Sequence, residues 1–129
     1  LYERFNHMSQ TPLVSNAVNE QDQELIDRAT AIIRKYFDDI DFDMNVLASE
    51  LGIGRSKLYL RIKEITGLTP NELTLKIKLE EAMYLLNNQP NLNISEISYQ
   101  LGFSSPRYFS KCFKSFYGVS PQNCRKGVN

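Results

Sequence analysis

The sequence holds one histidine, two cysteines and no uninterrupted apolar run of the roughly 18 residues that a bilayer crossing needs. Each scarcity closes off a class of function. A lone His7 in a polar N-terminal stretch, with no nucleophile motif and no cysteines at metal-ligand spacing, leaves no recognisable enzyme site, metal or cofactor. Cys112 and Cys124, in or near helical patterns, read as free thiols. With no membrane span and no charged segment leading into a short apolar one at the N-terminus, the expected location is the cytoplasm, without membrane contact from this segment. The chain starts at Leu1 rather than at methionine, which suggests a piece of a longer protein, one that can itself be membrane-anchored.

A net charge of zero would argue against a polyanionic partner if it were evenly spread. It is not. Residues 1–44 hold 4 Lys/Arg against 9 Asp/Glu; from totals of 15 and 15, residues 45–129 hold 11 against 6, so a −5 segment precedes a +5 segment. Such asymmetry suits a chain of which one part meets a polyanion. The 129 residues, 42% hydrophobic, suffice for one or two small cores.

The most informative stretch is Leu101 to Pro121, LGFSSPRYFSKCFKSFYGVSP. Phe109, Phe113 and Phe116 follow the i, i+4, i+7 spacing of a core-facing helical stripe, and Arg107, Lys111 and Lys114 repeat at the same spacing on the other side. The chain carries this pattern twice. Leu51-Gly52-Ile53 matches Leu101-Gly102-Phe103 at an offset of 50, and Leu58, Ile62, Gly67 and Pro70 match Phe109, Phe113, Gly118 and Pro121 at an offset of 51. The repeated unit is a short helix, a turn and a longer basic helix, the pattern of a helix-turn-helix.

Taken in order, residues 1–20 read as a linker or interdomain arm, and residues 21–37 as a core helix. Asp43 caps a second helix that ends at Gly52, and Arg55 to Thr66 is a first recognition helix with Leu58, Ile62 and Ile65 inward. Gly52-Ile53-Gly54 lacks the third glycine and the preceding strand of a phosphate-binding loop. Thr69-Pro70-Asn71-Glu72 starts a helix running to about Asn88 that is apolar on more than one face, as a connector packed between two units would be. Asn93 with Glu96 caps the next helix, and Ser120-Pro121 starts a short last one. The fold class is therefore all-α, about seven helices: a first helix-turn-helix subdomain (21–68), a connecting helix (69–89) and a second subdomain (90–129).

Residues 21–126, and above all NISEISYQLGFSSPRYFSKCFKSFYGVSPQNCRK, resemble the DNA-binding domain of the AraC/XylS family of bacterial transcription regulators. Departures from the family pattern stand out at six positions. Cys124 replaces an aromatic and Ser98 an alanine, Leu75 and Lys78 occupy connector positions where arginine is common, and Tyr59 and Leu60 replace long polar residues of the first recognition helix.

The resemblance implies sequence-specific binding of double-stranded DNA in transcription regulation, with both recognition helices in adjacent major-groove segments roughly 34 Å apart. Carried over residue by residue, it puts Ser56, Lys57, Tyr59, Leu60, Pro106, Arg107, Ser110 and Lys111 at base edges, and Arg55, Arg61, Lys63, Lys114, Arg125 and Lys126 at phosphates. Arg107 is the residue expected to hold a guanine, and the apolar pair Tyr59 and Leu60 points toward thymine methyl groups. RNA polymerase and an upstream sensor or receiver domain are the further partners implied. The segment from Asp22 to Gly67 is also similar to the output end of response regulators, including hybrid two-component sensors whose parent chain carries a histidine kinase. The alternatives are a ligand-sensing regulator and, more remotely, a helical module that binds acidic proteins.

Overall fold

The computed structural model describes residues 19–127, and every regular element among them is a helix. Most of the expected N-terminal arm, with His7, lies outside the described residues. Helix α1 (Glu20–Lys35) starts on Asn19, whose side chain accepts from the Asp22 amide, and carries acids in its first turn and Arg34 and Lys35 in its last, matching the helix dipole at both ends. There follow α2 (Met44–Leu51), α3 (Arg55–Thr66), α4 (Pro70–Asn88), α5 (Ile94–Gln100), α6 (Pro106–Tyr117) and α7 (Pro121–Lys126).

The described residues gather into two compact units, one of residues 19–36 and 41–77, the other of residues 37–40 and 78–127. The division falls inside α4 rather than at its ends, and it gives four residues of the α1–α2 connection to the second unit. The first unit has an aliphatic core: Ile26, Ala29 and Ile33 of α1, Leu47 and Leu51 of α2, Leu58, Ile62 and Ile65 of α3, and Leu73 and Ile77 of α4 are all buried. The second is built on aromatic rings, with Phe103 against Phe109 at 5.1 Å, Phe109 against Phe113 at 5.9 Å and Phe113 against Tyr117 at 4.7 Å between centroids. Tilted pairs at such distances add to the gain from area burial alone. The Tyr117 hydroxyl donates to the Leu79 carbonyl at 3.3 Å, and burial pushes its pKa well above the usual tyrosine range.

Both copies of the repeat use the same hydrogen bonds. Asp43 accepts from the Val46 amide, and fifty residues on Asn93 accepts from the Glu96 amide, where Glu96 answers the Asn93 amide to close a capping box. Gly52 and Gly102 both sit at positive φ, 69° and 76°, and in both turns the next amide reaches back five residues, Ile53 to the Ala48 carbonyl and Phe103 to the Ser98 carbonyl, each at 3.1 Å. This is the six-to-one bond of a Schellman ending, which needs a left-handed residue at the glycine. Burial repeats as well: Leu47, Leu51, Leu58, Ile62 and Pro70 correspond to Ile97, Leu101, Phe109, Phe113 and Pro121, and all ten are buried.

The two turns differ in what lies beside the glycine. A Cβ on Gly52 would meet nothing within 4 Å, whereas one on Gly102 would lie 2.4 Å from the Phe37 carbonyl oxygen. The 37–40 segment packs directly on the second turn, so glycine there answers to a neighbour as well as to a dihedral angle.

Candidate nucleic-acid interface

The two basic helices expose one face each because the other is committed to a core. In α6, Phe109, Cys112, Phe113 and Phe116 are buried, which leaves Arg107, Lys111 and Lys114 exposed and Pro106 and Ser110 half-buried. Ser105 accepts from the Tyr108 amide at 3.1 Å and Pro106 occupies the first helical position, so α6 begins sharply, one residue before Arg107. No acidic residue follows Glu96 anywhere in the chain, so the exposed face of α6 carries cations alone. In α3, Leu58, Ile62 and Ile65 are buried, and Arg55, Ser56, Lys57, Tyr59 and Leu60 are exposed. Each set of candidate base-reading residues thus shares the outer side of one helix.

The candidate phosphate residues separate into two groups. Lys114 and Lys126 are exposed, Lys63 is half-buried, and Arg55 is exposed while donating to the Asn45 side-chain oxygen at 2.7 Å. Two others are occupied within the protein. Arg61 donates to the Asp22 carboxylate of α1 and to Glu64 at 2.7 Å, strapping α3 to α1. The Arg125 guanidinium donates to the carbonyls of Leu86, Gln89 and Leu92, closing the carbonyl end of α4 and the loop beyond it. A cation at those orphan carbonyls is stabilised both by hydrogen bonds and by the helix dipole. Arg61 and Arg125, expected at phosphates, therefore have structural work within the fold.

The connector lysines turn inward. The Lys78 ammonium lies 5.7 Å from the centroid of the Phe103 ring, and burial pulls its pKa below the usual lysine range. Lys76 is only 3% exposed. Sequence reasoning had no signal for this, since a lysine on a long helix is ordinarily solvated. It also passed over Tyr108, 47% exposed beside Arg107 with its ring 6.1 Å from that of Phe103. Burial raises the pKa of the Cys112 thiol, in keeping with an inert core cysteine, and both described cysteines are free. Among the described residues no helix is long and apolar enough to cross a membrane.

Comparison with known proteins finds the same helix-turn-helix pattern. A family model described as a helix-turn-helix domain matches residues 47–127. A Formosa agariphila protein named histidine kinase P4 is 37% identical over 115 residues, 89% of this chain and 8% of that protein. The Msm operon regulatory protein of Streptococcus mutans is 40% identical over 85 residues, 66% of this chain and 30% of that protein. The chain thus spans less than a third of either curated relative. Among solved structures, the C-terminal domain of AraT, a response regulator from Geobacillus stearothermophilus, aligns with a TM-score of 0.70 at 33% identity over 80% of this chain and 84% of that one. A Chromobacterium violaceum transcriptional regulator with an AraC-type DNA-binding domain aligns with a TM-score of 0.75 at 23% identity over 84% and 95% of the two chains, a likeness of fold. A doubled helix-turn-helix in which each long helix turns a basic face outward, matched by a family model over most of its length, places the chain in the family of AraC-type DNA-binding domains.

Proposed function

We propose that this chain is the DNA-reading output domain of a two-component transcription regulator, and that α3 and α6 enter successive major-groove segments of one duplex. The observation that carries the DNA reading is the α6 face: three exposed cations, no acid after Glu96, and a helix seated on buried phenylalanines. Arg107 is assigned to a guanine edge through a bidentate pair, with Pro106, Ser110 and Lys111 beside it, and Ser56, Lys57, Tyr59 and Leu60 form the corresponding set on α3. Arg55, Lys63, Lys114 and Lys126 supply phosphate contacts. Support for the two-component setting comes from the names of the relatives, a response regulator and a histidine kinase. An upstream sensor or receiver domain in the same chain and RNA polymerase are the partners this reading requires.

The experiment is a salt titration with duplexes selected from a random pool. For a DNA binder, affinity falls linearly with the logarithm of salt concentration through counterion release. Arg107→Ala should cost roughly 1–3 kcal/mol on the selected site and relax one base position, while Lys114→Ala should weaken all sequences alike and flatten the salt slope by about one unit. A selected site without two conserved clusters about ten base pairs apart would refute the two-groove arrangement. Phosphoryl transfer from ATP, followed in the full-length parent, tests the two-component setting. No labelled aspartate or histidine would leave a ligand-sensing parent.

A further inference from the structure

The internal repeat sets the two recognition helices in one register, and at that register their outward chemistry differs. At an offset of 51, Arg107 and Lys111 of α6 correspond to Ser56 and Leu60 of α3. Where α6 presents two long cationic donors, α3 presents one short hydroxyl and an aliphatic side chain. Leu60 is 59% exposed and its neighbour Tyr59 39% exposed, and with Ser56, Arg55 and Met44 they line an open hollow of about 390 Å³. Neither Ser56 nor Leu60 can make the two-pronged hydrogen bond that singles out guanine. The apolar feature of a base edge in the major groove is the methyl group on carbon 5 of thymine.

We infer that α3 reads 5-methylpyrimidine edges, thymine in unmodified DNA, by seating the methyl group against Leu60 beside Tyr59, so that the two half-sites differ in kind. The base position under Leu60 is then marked by thymine and the one under Arg107 by guanine. This inference rests on the DNA reading above. The surroundings of Leu60 favour a duplex over an apolar protein partner: Arg55, Lys57 and Lys63 lie on the same helix, and no acid occurs in α3 before Glu64. A polyanion with a methyl group in its groove satisfies both the cations and the leucine, whereas a greasy protein surface would leave the cations to be desolvated without partners.

The test uses the 129-residue chain and a selected duplex in which each thymine is replaced in turn by deoxyuridine, which keeps the pairing and removes only the methyl group. The expected result is a loss of roughly four-fold in affinity at one or two positions of a single half-site, the worth of one buried methyl group. Leu60→Ala, an exposed substitution that leaves the core intact, should weaken binding to the thymine duplex and abolish the penalty for deoxyuridine at those positions. A uniform indifference to deoxyuridine, or a penalty that persists unchanged in Leu60→Ala, overturns the inference while leaving the DNA reading intact. Failure of the chain to bind any selected duplex overturns both.

Discussion

Gly102→Ala should destabilise the protein distinctly more than Gly52→Ala, even though the two glycines close the same turn in the two repeats. At both positions φ lies near 70°, and placing an L-residue there costs roughly 1–2 kcal/mol from the encounter of Cβ with its own backbone. For Gly52 nothing else is added, because the new methyl group points into open space. At Gly102 the methyl carbon arrives 2.4 Å from the Phe37 carbonyl oxygen, whereas such carbons keep at least 3.0 Å from their neighbours, so the 37–40 segment must retreat by at least 0.6 Å. The Lys78 ammonium, at 3.3 Å, can swing aside as the end of a flexible chain, but the carbonyl moves only with its backbone. Overpacking of this kind adds about 1–3 kcal/mol, which brings the total at Gly102 to about 2–5 kcal/mol. Urea unfolding followed by far-ultraviolet circular dichroism gives both numbers as shifts of midpoint at constant slope. Equal losses for the two variants would refute the packing of the 37–40 segment on the second turn.

Further outcomes follow from buried polar groups. Ser98 is fully buried with its hydroxyl unpartnered, and the matching residue in the first repeat is Ala48, so Ser98→Ala should raise stability by about 1 kcal/mol, and a lowered melting temperature would contradict this. Arg125→Gln removes the charge and the fork that holds three carbonyls, so it should lower stability by about 1–2 kcal/mol and leave the salt slope of DNA binding unchanged; a slope flattened by about one unit would return Arg125 to the phosphates. Lys78 has a folded-state pKa below its unfolded one, so between the two values the unfolded chain binds more protons and stability rises with pH. In the difference between the parent and Lys78→Met, the gain from the substitution should therefore be largest at neutral pH and shrink as the solution becomes alkaline, and a difference independent of pH would sink the assignment.

The all-helical fold was legible in the residues because its determinants are local. A cap such as Asn93 with Glu96, or Thr69 with Glu72, acts over three residues, and the spacing of Phe109, Phe113 and Phe116 needs only the period of a helix to find its inward face. The doubling of the motif likewise lay open in the residues, since the same turn chemistry recurs fifty residues apart. For the candidate interface, the outward sides of α3 and α6 followed from the same period once their inward sides were known.

What the order of residues alone did not decide is where the long cationic side chains end and which backbone lies against which turn. Arg61 finds Asp22 across 39 positions and Arg125 finds Leu92 across 33, while Lys78 lies over Phe103 and the Phe37 carbonyl rests on Gly102. A flexible stem lets an arginine head reach acceptors in many directions, and only the packed chain determines which acceptor is near enough to hold it. The amino-acid sequence by itself determined the helices, their buried stripes and the repeat; tertiary structure alone decided that the heads of Arg61 and Arg125 end on acceptors inside the fold, because only the packed chain brings those acceptors within reach.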